Sequence, residues 1–220
     1  MKTVLSTKKL SKSQRSLLLN TGIGLVEQDF IEIEPIPFEI EAEKLPENII
    51  FTSQNAVLAI EKNQIFQFLK SKKIYCVGEK TAALLSEKGL KVQHFEHYGV
   101  DLAGKLVKTN ENEGFLFFCG KKRRHELPEI FRKHKIPLTE VEVYDTIETP
   151  KKISRNFDGI LFFSPSAVKS FCTENELKNT TAFCIGTTTA SEANKRTEQI
   201  EIASKPTIES VIVQVVKYFK

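Results

Sequence analysis

Residues 114–146 read GFLFFCGKKRRHELPEIFRKHKIPLTEVEVYDT. The apolar run Phe115 to Cys119 closes at Gly120 and gives way to a basic loop. Leu127, Ile130 and Phe131 recur at helical spacing, Pro137 breaks the pattern, and Val141 and Val143 alternate with glutamates up to Tyr144. The segment reads strand, loop, helix, strand, because apolar runs and period-two alternation mark strands while a 3,4 spacing marks a helix.

The same alternation extends outward. Towards the N-terminus, residues 3–7 (TVLST) read as a strand, followed by a lysine-bearing loop and a helix carrying Leu17, Leu18 and Leu19 that ends near Gly22 and Gly24. A second strand is expected from Phe30 to Ile33, stopped by Pro35 and Pro37 in a connector rich in Pro and Glu. Ile49 to Phe51 is a strand, and Ser53 is placed to cap a helix running to about Leu69. Ile74 to Val77 is a further strand turned at Gly78, with a helix from Lys80 to Lys88 closed by Gly89 and a strand from Val92 to Phe95.

Beyond the central segment these patterns return. Phe162-Phe163-Ser164-Pro165-Ser166-Ala167-Val168 repeats Phe51-Thr52-Ser53-Gln54-Asn55-Ala56-Val57, and Phe183 to Ala190 repeats Tyr75 to Ala82. Val4, Lys8, Lys9 and Ile23 correspond more loosely to Phe117, Lys121, Lys122 and Ile136. Each pair lies about 110 residues apart, too long for a solenoid repeat, so the chain is a tandem duplication of a half-length unit. Strands alternating with helices predict two similar doubly wound α/β domains with parallel sheets. In such sheets ligands bind beyond the carboxyl ends of the strands, where both repeated loops fall.

Composition narrows the function classes. A chain of 220 residues with 40% apolar and 27% charged residues is that of a soluble globular protein. A net charge of +4 is too small to mark a nucleic-acid binder, and no apolar run is long enough to span a bilayer. With no signal-peptide pattern in MKTVLSTKKLSKSQRS, the expectation is a cytoplasmic protein, by default a monomer. Cys76, Cys119, Cys172 and Cys184 show no CxxC spacing and read as free thiols, mostly buried; His94 and His97 lack a third ligand for zinc. Neither nucleotide-phosphate fingerprint occurs.

Four features carry candidate chemistry. Ser53 and Ser164 put a hydroxyl beside helix-start amides, an arrangement suited to anions and equally to plain helix capping. The loops Gly78 to Ala82 and Gly186 to Ala190 offer Thr81 and Thr189 after a glycine turn. Lys121 to Arg124 is the densest basic run; it is either a solvated face or a carboxylate site at the rim of the sheet. Tyr144 is expected at the end of its strand, ahead of a second connector, Asp145 to Pro150.

In this order and over residues 3–215, Phe51-Thr52-Ser53 with Ala56-Val57, Val77 to Ala82, Arg124 to Pro128, Val141 to Tyr144, Phe163-Ser164-Pro165 and Ile185 to Ala190 resemble uroporphyrinogen-III synthases. The resemblance implies two α/β domains, residues 1–35 plus 147–220 and residues 37–145. Two antiparallel connecting strands would join them, with a cleft between. It implies a cyclising lyase of haem biosynthesis that closes hydroxymethylbilane with inversion of the last pyrrole ring and loss of water, without metal or organic cofactor. By the same resemblance Tyr144 is the catalytic candidate, and Thr52, Ser53, Thr81, Arg124, Ser164, Thr188 and Thr189 are substrate-binding candidates. Lys8 stands where many members of the family have an arginine, and Asn55 where a basic residue is frequent, which departs from the family's pattern. The competing expectation is a two-lobe binding module for a small polyanion, without chemistry.

Overall fold

The computed structural model describes residues 1–19, 21–109 and 114–220. The first part of the chain runs β1 (Thr3–Ser6), α1 (Lys12–Leu19), β2 (Gly24–Glu27), β3 (Ile31–Pro35), β4 (Asn48–Phe51), α2 (Gln54–Ile60), α3 (Ile65–Phe68), β5 (Lys73–Val77), α4 (Glu79–Glu87), β6 (Val92–Glu96) and α5 (Gly99–Thr109). It continues with β7 (Phe115–Gly120), α6 (Glu126–Lys133), β8 (Leu138–Glu148), β9 (Gly159–Phe162), α7 (Pro165–Glu174), β10 (Thr181–Cys184), α8 (Thr187–Ala193), β11 (Ile200–Ile202) and α9 (Ile208–Phe219).

Two compact units emerge, one of residues 1–32 and 147–220, the other of residues 33–146. In the first, the strand order is β2-β1-β9-β10-β11, all pairs parallel. In the second, β8-β7-β4-β5-β6 are likewise parallel, with β3 added at the β8 edge. The internal repeat maps directly onto these orders: β9 takes the place of β4, β10 that of β5, and β1 that of β7. Each sheet is therefore the same doubly wound arrangement, entered at a different point of the chain.

Burial on both faces explains why the strands read as continuous apolar runs. In residues 33–146 the side chains of Ile49, Phe51, Ile74, Cys76, Leu116 and Phe118 pack with α2 and α4. Their alternating neighbours Ile50, Tyr75, Phe115, Phe117 and Cys119 pack with α5 and α6. In the other unit, Leu5, Ile160, Phe162 and Cys184 face α7 and α8, while Val4, Leu161 and Phe183 face α1 and α9. The cysteines are free; Cys76, Cys119 and Cys184 are buried and Cys172 is half-buried. No helix among the described residues is long and apolar enough to cross a membrane.

Several elements depart from the sequence reading. The strand partnering β1 is Gly24–Glu27, which starts at the glycine expected to end the helix and fills a stretch given no element; Ile31–Pro35 is instead the connecting strand. The helix expected from Ser53 to Leu69 stops at Ile60, because Glu61-Lys62-Asn63-Gln64 offers no buried face and Asn63 Oδ1 accepts the Ile65 N–H at 2.9 Å, starting a separate turn. Tyr144 is not at a strand end, since β8 continues to Glu148. Pairing with β3 keeps it extended: Ile36 N donates to Val143 O at 2.9 Å and Thr149 N to Phe30 O at 3.0 Å, a descending register that makes the pair antiparallel.

Candidate functional site

In residues 33–146 the chain reverses its direction of travel across the sheet between β4 and β7, which lie side by side although β5 and β6 intervene in sequence. Such a switch leaves the loops after the two strands diverging, the usual ligand position in an open α/β sheet. The loop after β4 carries Thr52 and Ser53, both half-buried; β7 ends at Gly120 and the loop after it begins at Lys121. Ser53 is extended and caps α2, its Oγ accepting the Asn55 N–H at 3.2 Å. Gln54 Nε2 donates to Lys80 O at 3.0 Å and so ties this loop to the one after β5.

Tyr144 reaches this edge from the next strand. The register of β7 and β8 shifts between Cys119 and Gly120, so that Cys119 lies opposite Glu142 and Gly120 opposite Tyr144. Lys121 N donates to Tyr144 O at 2.9 Å. The phenol ring lies against Gly120: a Cβ built there would stand 2.5 Å from Tyr144 Cζ, 2.7 Å from Cε2 and 2.8 Å from the hydroxyl oxygen. Beyond it lies the Ser53 side chain, near enough to the hydroxyl to favour its ionised form. Thus one side chain spans from β8 across β7 to the end of β4. Burial holds the phenol protonated to higher pH than usual, partly offset by the nearby Ser53 side chain.

The basic run divides by task. Arg123 is held by Glu140 and, at 3.6 Å, by Glu142; Lys121 lies 3.6 Å from Asp145, and Lys122 Nζ donates to Thr146 O at 2.9 Å. Arg124 is exposed at the approach to α6. Thr81, behind the positive-φ turn at Gly78 (φ 88°), is only 5% exposed. Two concavities of this unit, about 610 Å³ beside Ile36, Phe38 and Ala59 and about 420 Å³ beside Arg132, Ile136 and Leu138, lie away from Tyr144.

The corresponding edge of the other unit carries Ser164, whose Oγ accepts the Ala167 N–H at 3.1 Å and caps α7. Thr188 is exposed at the start of α8, whereas Thr189 is 1% exposed. Thr7, unread in the sequence, stands at the switch between β1 and β9, but its hydroxyl is spent on Leu161 O at 2.7 Å. Gly120 was legible as a strand terminator; its contact with Tyr144 needed the register shift, which leaves no mark in the sequence. Among the described residues no set of His, Cys, Asp or Glu gathers as metal ligands.

These features define a class: a duplicated α/β protein with hydroxyls and helix-start amides along the carboxyl edges of its parallel sheets. Residues 13–213 match the family model described as uroporphyrinogen-III synthase HemD. A porphyrin biosynthesis protein HemD of Ruminiclostridium josui is 29% identical over 89% of this chain, which spans 44% of that protein's length. The crystal structure of uroporphyrinogen-III synthetase from Helicobacter pylori shares the fold at a TM-score of 0.76, with 23% identity over 99% of this chain and all of that one. A mutant uroporphyrinogen III synthase from Thermus thermophilus follows at a TM-score of 0.67 and 13% identity over the whole of both chains. The chain belongs to the uroporphyrinogen-III synthase family.

Proposed function

We propose that this chain converts hydroxymethylbilane to uroporphyrinogen III. The observation that carries the reading is the family match across residues 13–213. The Ser53–Tyr144 pair at the switch of the sheet supports it as a place for chemistry. In the reaction the C–O bond of the hydroxymethyl group breaks and the oxygen leaves as water after taking a proton. The carbon then bonds to the substituted carbon of the last ring, giving a spiro intermediate. The bond from that ring carbon to its existing bridge breaks, and the bridge carbon rebonds at the ring's free α-carbon, which gives up its proton, so the ring is inverted as the macrocycle closes.

The linear substrate can cyclise unaided without inversion, so the protein's contribution is to hold the chain in the conformer that presents the substituted carbon. In this reading Tyr144 donates a hydrogen bond or proton to the departing hydroxyl. Thr52, Ser53, Thr81 and Arg124 serve the substrate on one edge, and Ser164, Thr188 and Thr189 on the edge of the other unit. The exposed Thr188 and Arg124 can meet carboxylates directly, while buried Thr81 and Thr189 act by shaping their loops. Arg124 is suited to a carboxylate because its guanidinium fork binds both oxygens.

Incubation with hydroxymethylbilane and separation of the isomers tests the proposal. Accelerated formation of the type III isomer is expected; type I alone, at the rate without protein, overturns it and leaves a binding module.

A further inference from the structure

Gly120 is a glycine for space and not for backbone. Gly22, Gly78 and Gly89 have positive φ, but Gly120 does not, so its backbone accommodates an L side chain. What a side chain there would meet is the far end of Tyr144, at 2.5–2.8 Å, where ordinary contact begins at 3.4 Å. The register shift between Cys119 and Gly120 has a related effect. It turns Tyr144 towards the core face already occupied by buried Val143, where strict alternation would send successive residues to opposite faces. A bare Cα, a bulge and the Ser53 hydroxyl thus converge on one ring.

We infer that Gly120, with the bulge beside it, is a positioning residue: it leaves open the place in which the Tyr144 ring lies flat against β7 and its hydroxyl reaches Ser53. The inference rests on the proposed synthase reading for its catalytic consequence. A Cβ at Gly120 displaces the ring end by roughly 1 Å, and a misplacement of that size is enough to lose what the hydroxyl contributes. Because a flexible side-chain end gives way, and no backbone atom, the fold tolerates the change.

The test is Gly120→Ala, Tyr144→Phe and the double variant. Gly120→Ala is expected to lower kcat by up to about tenfold, no more than Tyr144→Phe does, with KM within about twofold and an unchanged thermal midpoint. In the Tyr144→Phe background it adds no further loss, since the hydroxyl it misplaces is gone. Wild-type kcat in Gly120→Ala, or losses that multiply in the double variant, overturn the inference. If Gly120→Ala does not fold, Ser53→Ala, which removes the other neighbour of the hydroxyl, carries the same cycle with the same outcomes. A second readout is independent of activity. The protein has four tyrosines and no tryptophan, so alkaline titration of phenolate absorbance isolates the component missing in Tyr144→Phe. That component should move away from its wild-type midpoint in Gly120→Ala, since both the burial and the Ser53 contact that set it change; an unchanged titration overturns the positioning role even if the protein makes no type III isomer.

Discussion

Tyr144 and Arg123 show how differently two polar residues of the same stretch are spent. A half-buried phenol with its proton affinity raised above the ordinary value of about 10 is a weak acid, so its help to a departing hydroxyl is partial. Tyr144→Phe should therefore lower turnover by about tenfold without abolishing it, and wild-type turnover would remove the residue from the mechanism. The wild-type rate should also stay level in pH up to about 10 as far as this group decides it, because the raised affinity keeps the proton on. Arg123 is occupied by Glu140 and Glu142, and Arg124 is the more exposed of the two. Replacing Arg123 with Ala should cost about 1 kcal/mol, read as a lower denaturation midpoint, because it leaves two carboxylates without their shared cation. Arg124→Ala should instead raise KM severalfold at unchanged stability; the reverse pattern would exchange the two roles. The sequence showed four adjacent cations and could not divide them, since the division depends on glutamates from β8.

Among the elements, helix starts were easy to place and helix ends were not. Ser53 and Ser164 are both N-caps, as their position before an apolar run indicated. A cap and a ligand contact can be separated at Ser164. Ser164→Ala should destabilise by about 1 kcal/mol and Ser164→Gly by only a few tenths, as at other N-caps. If Ser164 also binds substrate, both variants raise KM equally. An unchanged KM in both confines it to capping. Gly99–Thr109 went unread because Gly99 and Gly104 weaken helix propensity; Leu102, Ala103, Leu106 and Val107 form the buried stripe that decides it. Gly24–Glu27 is a strand by virtue of its partner, pairing residue for residue with Thr3–Ser6, a long-range reason that no window of four residues carries.

At the scale of the whole molecule the duplication was visible along the chain, and the structure gives it a spatial meaning: equivalent strands occupy equivalent places in two sheets. The family resemblance implied a discontinuous domain of residues 1–35 plus 147–220; β1 sits between β2 and β9, so the unit of residues 1–32 and 147–220 is completed only by both ends of the chain. Each unit places free thiols in its core, and this links the stability of both to alkali. Burial pushes Cys76 and Cys119 in one unit and Cys184 in the other from 9.0 up to about 12. These folded thiols hold their protons more tightly than the unfolded chain does. The stability they contribute is complete below about pH 9 and is lost as pH rises from there towards about 12. Denaturant midpoints should thus be level from pH 7 to 8 and fall progressively above pH 9. The decline should be shallower in Cys76→Ala, Cys119→Ala and Cys184→Ala, each of which deletes one linked proton while lowering the midpoint at neutral pH through the small void left behind. An equally steep decline in all three variants would assign the alkaline sensitivity to other groups, and a midpoint constant from pH 8 to 11 would mean the thiols titrate alike in the folded and unfolded states.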